Sequence, residues 1–115
     1  MHSMMFHFGV TTLPLSERIH PQYNGTVATL PQNQGTGPAA NTYVDPQAPL
    51  YLLQGTSGAF QRETFVDPLP AWSAFAKNGA YGYGIMTIDG AKQLDYTFVD
   101  TDGGVQDAWR IIKTK

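Results

Sequence analysis

Tyr83-Gly-Ile-Met-Thr-Ile-Asp-Gly-Ala-Lys-Gln-Leu-Asp-Tyr-Thr-Phe-Val-Asp-Thr-Asp-Gly-Gly-Val-Gln-Asp-Ala-Trp-Arg-Ile-Ile-Lys113 is the stretch that decides the fold. Tyr83, Ile85 and Thr87 alternate with Gly84, Met86 and Ile88. Asp89-Gly90 is a hairpin signal, because a tight two-residue turn needs positive φ. Leu94, Tyr96 and Phe98 then alternate with Asp95, Thr97 and Val99, which marks one face of this strand for a core. Asp100-Thr-Asp-Gly-Gly104 is a second turn. Val105, Asp107, Trp109 and Ile111 alternate with Gln106, Ala108, Arg110 and Ile112. The spacing predicts an antiparallel meander over residues 83–113. Three strands alone are barely stable, so the meander needs a cover.

Two candidates for that cover lie upstream. Leu50-Tyr-Leu-Leu-Gln54 is a short apolar run between Pro49 and Gly55, too short for a helix, and reads as a buried strand. Gly55-Thr-Ser-Gly58 follows as a turn, without the Lys-Ser/Thr or third glycine of a phosphate-binding loop. Ala71-Trp-Ser-Ala-Phe-Ala-Lys77 follows Pro68 and Pro70. The spacing of Trp72, Phe75 and Ala76 predicts a short helical turn. Residues 21–49 are rich in Pro, Gly, Asn, Gln and Thr, lack Lys and Arg, and read as loop-rich, with Pro31–Pro38 a loop on composition alone. Within them, Asn24-Gly25-Thr26 fits the N-glycosylation sequon, making Asn24 a candidate acceptor.

Composition narrows the function. The chain has 115 residues, enough for one domain. Only 14% are charged, and Gly (12) and Pro (8) are abundant, so core material is thin for the length. The net charge of −2 gives no footprint for nucleic acid. Cysteine is absent, which excludes disulfides, thiolate metal sites and Cys nucleophiles. No apolar run approaches the roughly 18–20 residues of a membrane span. The apolar start, Phe6-His-Phe-Gly-Val10 included, has no Lys or Arg before it and does not read as a signal peptide.

Catalytic groups are few. His2, His7 and His20 all lie in the first 20 residues and lack partners at ligand spacing. Asp100 and Asp102 beside Gly103-Gly104 suggest a calcium loop at first, but the remaining ligands and the closing Glu are missing, and a hairpin turn accounts for both. Ser57 and Ser73 sit in no nucleophile-elbow setting. No catalytic residue and no metal ligand is assigned from the residues themselves.

Several segments, taken in order, resemble the purple acid phosphatases of the metallophosphoesterase superfamily. Glu17-Arg-Ile-His-Pro-Gln-Tyr-Asn-Gly25 resembles the stretch after that family's last metal-ligand motif. Pro49-Leu-Tyr-Leu-Leu-Gln-Gly55 resembles its next strand and glycine turn. Trp72-Ser-Ala-Phe75 with Tyr81-Gly-Tyr-Gly84 is similar to its most characteristic C-terminal signature, and Leu94–Val99 and Val105–Lys113 to its last strands. The resemblance divides the chain into a divergent segment, 1–16, and a C-terminal part of a purple acid phosphatase-like domain, 17–115. It implies a mainly β fragment of an α/β domain with a four-layer β-α-α-β sandwich.

The resemblance also implies a chemistry, phosphate monoester hydrolysis at a binuclear centre of Fe with Fe, Zn or Mn. The family's last ligand motif is Gly-His-x-His-x-Tyr-Glu-Arg. Here Glu17-Arg18 match its end, while Ser16 stands at the Tyr position, Pro14 and Thr12 at the His positions, and Thr11 at the Gly position. No metal ligand of the family carries over. The expectation is therefore a C-terminal portion of a metal-dependent acid phosphatase, holding no cofactor and inactive alone, with the N-terminal remainder of the domain as its partner. A secreted or lysosomal location is implied by the resemblance only. The competing expectation is a non-catalytic β-rich binding module in which Tyr81, Tyr83, Trp72 and Trp109 form a contact surface rather than core. A standalone metal enzyme is disfavoured by three dispersed His and no Cys.

Overall fold

The computed structural model describes residues 6–10, 16–35, 37, 39–55, 68–77 and 80–114. Ten strands run in chain order: β1 (Phe6–Val10), β2 (Ser16–Ile19), β3 (Gln22–Tyr23), β4 (Thr26–Val27), β5 (Thr42–Val44), β6 (Leu50–Gln54), β7 (Ser73–Lys77), β8 (Gly82–Asp89), β9 (Gln93–Asp100) and β10 (Val105–Ile112). They form one four-stranded sheet in the order β1-β6-β2-β7, a second in the order β5-β10-β9-β8, and a separate β3-β4 hairpin.

The predicted meander is present. β8 pairs antiparallel with β9 and β9 with β10, turning at Gly90 and at the 100–104 loop. Gly90 and Gly103 have φ of 61° and 85°, which explains glycine at both turns. Arg110 faces Asp95 across the β9–β10 pair, with N–O distances of 2.6 and 3.1 Å. The predicted strand at Leu50 is also present. As β6 it lies inside the first sheet, parallel to β1 and antiparallel to β2. Its alternate residues Leu50, Leu52 and Gln54 are buried.

One hydrophobic core joins the two sheets. It contains Leu50 and Leu52 from β6, Leu94, Tyr96 and Phe98 from β9, Trp109 and Ile111 from β10 and Tyr43 from β5, with Phe75 of β7 packed against it. Tyr96 and Trp109 stack with ring centroids 5.4 Å apart. The charge-poor composition serves this arrangement, since each sheet buries one face against the other.

One expectation is corrected. The short helix over residues 71–77 is instead strand β7, paired antiparallel with β2. Five residues after the Pro68–Pro70 corner are too few to offset helix nucleation, whereas a neighbouring strand satisfies the same backbone groups at once. The described residues contain no helix. The loop-rich stretch 21–49 also carries three short strands. Asn24-Gly25 closes the β3-β4 hairpin, and β5 lies buried and parallel to β10. Three residues are too few to show alternation. Asn41 and Asp45, both at positive φ, bracket β5 instead. The Asn41 amide donates to the Ala108 carbonyl at 2.6 Å, and the Asp45 N–H donates to the Ile112 carbonyl at 2.8 Å. The turn read at Gly55–Gly58 falls outside the described residues beyond Gly55.

β8 is the outer strand of its sheet. After Gly82 every residue of β8 is exposed, including Tyr83 (55%) and Ile88 (63%). Gly84 is required by close approach, because a Cβ there would fall inside the Tyr96 hydroxyl and ring. The empty space lets Tyr96 lie along the sheet and donate from its hydroxyl to Gln54 Oε1 at 2.6 Å, linking β9 to β6. The second glycine of the Tyr81-Gly-Tyr-Gly84 signature thus has a packing role.

Candidate functional site

A cleft of about 460 Å³ is lined by residues of both sheets and of the 31–41 segment. Arg18, His20, Gln34, Asn41, Phe75 and Gln106 are among its lining residues, together with Asp107. Its size falls within the range of small-molecule sites.

β2 and β10 place the charged floor of the cleft. Alternation along Ser16–Ile19 turns Ser16 and Arg18 inward. Arg18 meets Asp107 of β10 through two hydrogen bonds, Nε to Oδ2 at 2.8 Å and Nη2 to Oδ1 at 3.1 Å. Its third nitrogen, Nη1, donates to the Tyr43 hydroxyl at 2.6 Å. Both charged side chains are almost fully enclosed. Burial penalises the Arg18 charge, and Asp107 with Tyr43 outweighs that penalty and raises the guanidinium pKa. Burial lifts the Asp107 carboxyl above its ordinary value, against the pull of Arg18. The forked geometry is the one in which such a pair offsets its own desolvation best.

Tyr43 extends this network to His20, whose Nδ1 lies 2.7 Å from the Tyr43 hydroxyl. Burial pushes Tyr43 up to about 12, so it keeps its proton. Arg18 donates to the Tyr43 oxygen, and the tautomer of His20 sets whether Nδ1 accepts from that hydroxyl or donates to it. Burial first, and the nearby Arg18 charge second, lower the His20 pKa below its ordinary value. At the side of the cleft the Ser73 hydroxyl donates to Glu17 at 2.8 Å, fixing β7 to β2.

These groups are held in place by one another. Arg18 spends all three nitrogens on Asp107 and Tyr43, so it is a structural cation rather than an anion clamp. The cleft offers hydrogen bonding and one imidazole. The one hydroxyl among its described lining residues, that of Ser73, is bound to the Glu17 carboxylate and ties β7 to β2.

The other sequence-predicted residues lie elsewhere. Asp100 and Asp102 belong to the β9–β10 turn. The Asp100 carboxylate accepts from the N–H groups of Asp102 and Gly104 and from Gln106 Nε2. Those bonds, Gly104's first, lower its pKa. A carboxylate so occupied belongs to a turn, as its sequence setting implies. Ser16, at the Tyr position of the ligand motif, is buried in β2, where its hydroxyl accepts from Gln54 Nε2 at 3.0 Å. His7 lies on β1, Ser57 and His2 outside the described residues, and Asn24 at the tip of the β3-β4 hairpin. Of the proposed contact aromatics, Trp109 is core, Trp72 is half-buried, and Tyr81 and Tyr83 are exposed. Among the described residues no three His, Cys, Asp or Glu side chains lie where they would hold a metal ion. The described residues do not fit a binuclear centre, since His20 is committed to Tyr43 and Asp107 to Arg18. Sequence reasoning missed the Arg18–Asp107–Tyr43 network. Only the Glu17-Arg18 match pointed toward one of its members.

The described residues define a mainly β unit of two packed four-stranded sheets. Residues 48–108, over half the chain, match the family described as iron/zinc purple acid phosphatase-like protein C, and the chain belongs to that family. The solved structure of a purple acid phosphatase from yellow lupin (Lupinus luteus) seeds resembles it with a TM-score of 0.72 at 20% identity. The likeness, which at this identity is one of fold, covers 93% of this chain and 18% of the lupin protein, so the chain spans under a fifth of that protein's length. No curated protein matches the chain.

Proposed function

We propose that this chain is the C-terminal portion of a purple acid phosphatase-like, metal-dependent phosphomonoesterase, and that it does not hydrolyse phosphate esters by itself. The observation that carries the reading is the combination of the family match over residues 48–108 with a fold likeness that takes in 93% of this chain but 18% of the relative. On this reading the metal ligands are supplied by other parts of the complete enzyme. In the complete enzyme the four-layer sandwich would hold Fe with Fe, Zn or Mn. This portion would support it through the β6 and meander framework, with the Arg18–Asp107 pair locking the two sheets. A secreted or lysosomal location accompanies the reading.

Purified 115-residue protein, assayed with p-nitrophenyl phosphate and by metal analysis, tests it. The expected result is no stoichiometric metal and no turnover above buffer. Close to two bound metals per chain, together with turnover, would overturn it. DNA upstream of Met1 provides a second check, since the reading expects Asp-x-Gly, Gly-Asp-x-x-Tyr and Gly-Asn-His-Glu motifs in frame.

A second reading, a non-catalytic binding module, draws support from β8, where Tyr83, Ile85, Met86 and Ile88 stand exposed on an outer strand. An uncovered apolar outer strand invites pairing. If β8 faces the rest of a phosphatase domain, co-expression with that remainder protects the strand from hydrogen exchange. If the chain is a free module, β8 exchanges equally in both cases.

A further inference from the structure

The cleft over the Arg18–Asp107 pair has no part in the phosphatase reading, and its floor carries no free charge. Arg18 and Asp107 neutralise each other through two hydrogen bonds, and the remaining Arg18 nitrogen is bound to the Tyr43 hydroxyl. The carboxylate beside the cleft, Glu17, accepts from the Ser73 hydroxyl. His20 is held below its ordinary pKa and is neutral at neutral pH. No free cation is therefore left among the described lining residues to hold a phosphate or a carboxylate.

What the cleft does present is a set of uncharged polar atoms, two of them fixed by their own bonds. The Asn41 side chain is buried, and its Nδ2 donates to the Gly35 carbonyl at 2.9 Å and to the Ala108 carbonyl at 2.6 Å. Carbonyls only accept, so the amide nitrogen must face them and Oδ1 must turn the other way. That oxygen accepts no hydrogen bond from the described residues and is not enclosed, so it is open to the cleft that Asn41 lines. The same logic fixes Gln106, whose Nε2 donates to Asp100 at 2.6 Å and leaves Oε1 as a second acceptor. His20 meets Tyr43 through Nδ1, which leaves Nε2, and the exposed Gln34 adds an amide from the 31–41 segment. Phe75, packed against the core, contributes an apolar patch.

Hydroxyl groups on a carbon ring match this set. Each hydroxyl both donates and accepts, so it satisfies a fixed amide oxygen and an imidazole nitrogen in either tautomer, while ring C–H bonds suit an aromatic side chain. We propose that the cleft binds a small neutral polyhydroxylated molecule, of the class of a monosaccharide or cyclic polyol. Asn41 Oδ1 and Gln106 Oε1 accept its hydroxyl hydrogens, the Gln34 amide bonds a further hydroxyl, and Phe75 lies against its ring. The volume of about 460 Å³ takes one such ring with bridging waters. The site needs no metal and stands independently of the phosphatase reading.

The test uses the full 115-residue chain, with D-glucose and myo-inositol as probes and inorganic phosphate and magnesium chloride as charged comparisons. Binding is read by saturation-transfer NMR and by the urea midpoint. At least one neutral probe should bind saturably, with a Kd on the order of millimolar, as suits a ligand of this size. Its affinity should not change with salt, because the ligand carries no charge to be screened. Gln34→Ala should weaken binding about five-fold, the effect of one hydrogen bond, and leave the urea midpoint of the unliganded chain unchanged. Phe75→Leu should weaken it as well, in a variant whose cooperative urea transition shows that it folds. Failure of both neutral probes to bind at tens of millimolar overturns the proposal. Tighter binding of phosphate or magnesium than of either neutral probe overturns the ligand class. Binding that survives both Gln34→Ala and Phe75→Leu at full strength overturns the cleft as its place.

Discussion

Arg18 and Asp107, 89 positions apart in the chain, meet in a forked ion pair with N–O distances of 2.8 and 3.1 Å. One belongs to the β6 sheet and the other to the meander, so the pair is a polar clasp across the core. Tyr43 completes it from a third strand.

Removing one partner of such a pair leaves a buried charge without compensation, which costs about 3–5 kcal/mol. Asp107→Ala and Arg18→Ala should each lower stability by that much in urea unfolding. Arg18→Met combined with Asp107→Leu should lose far less than the two single changes together, because no buried charge remains. Additive losses would show that the pair is not coupled.

Gly84 gives a second prediction. Adding a methyl there displaces the Tyr96 ring and with it the bond to Gln54. Gly84→Ala should cost about 1–3 kcal/mol, the usual range for overpacking. Tyr96→Phe should cost about 1–2 kcal/mol through the hydrogen bond alone. In Gly84→Ala with Tyr96→Leu, the combined loss should be smaller than the sum, as read by thermal unfolding.

The parts of the fold that were legible are those with long alternation and unambiguous turns. Leu94, Tyr96 and Phe98 alternate over eight residues between Gly90 and the Asp100 loop, which leaves one reading. β7 was read as helix because Trp72, Phe75 and Ala76 satisfy a helical spacing by chance, and only pairing with β2 reveals the strand. β5 has three residues and takes its identity from β10. The Asn24-Gly25 hairpin carried a readable turn signal, but with two residues on each side it lacked strands to confirm it. The cleft was illegible for a related reason. Arg18, Tyr43 and Asp107 are brought together by tertiary pairing, and none carries a local mark of its partners. The family resemblance, by contrast, rested on ordered short segments and anticipated the family match.

His20 should make stability fall on mild acidification. Its folded pKa is depressed by burial and then by Arg18, and the groups facing it are Tyr43 and Arg18, with Asp107 behind them. For a base with a depressed folded pKa, the unfolded chain binds the proton first. The contribution is fully present above the unfolded value near 6.5 and is lost as pH falls toward the folded value. The urea midpoint should therefore decline as the pH falls below neutrality, and His20→Gln should flatten that part of the profile. The ring is partly exposed, so the effect will be modest. A slope unchanged by His20→Gln would place the titration elsewhere.

Asp100 organises the last turn without a metal. Its Oδ1 accepts from the N–H groups of Asp102 and Gly104, and its Oδ2 from Gln106. These bonds, led by Gly104's, depress its pKa, so its contribution is present above the ordinary carboxylate value of 3.8 and is lost as pH falls through the lower folded value. Asp100→Ala should destabilise the β9–β10 turn at neutral pH. Asp100→Asn should do so less, since its amide oxygen can still accept from the two backbone N–H groups. Millimolar calcium should leave the melting temperature of the parent chain unchanged, because the carboxylate oxygens are already engaged by this turn. A calcium-dependent rise that disappears in Asp100→Asn would make the loop a cation site and overturn the assignment.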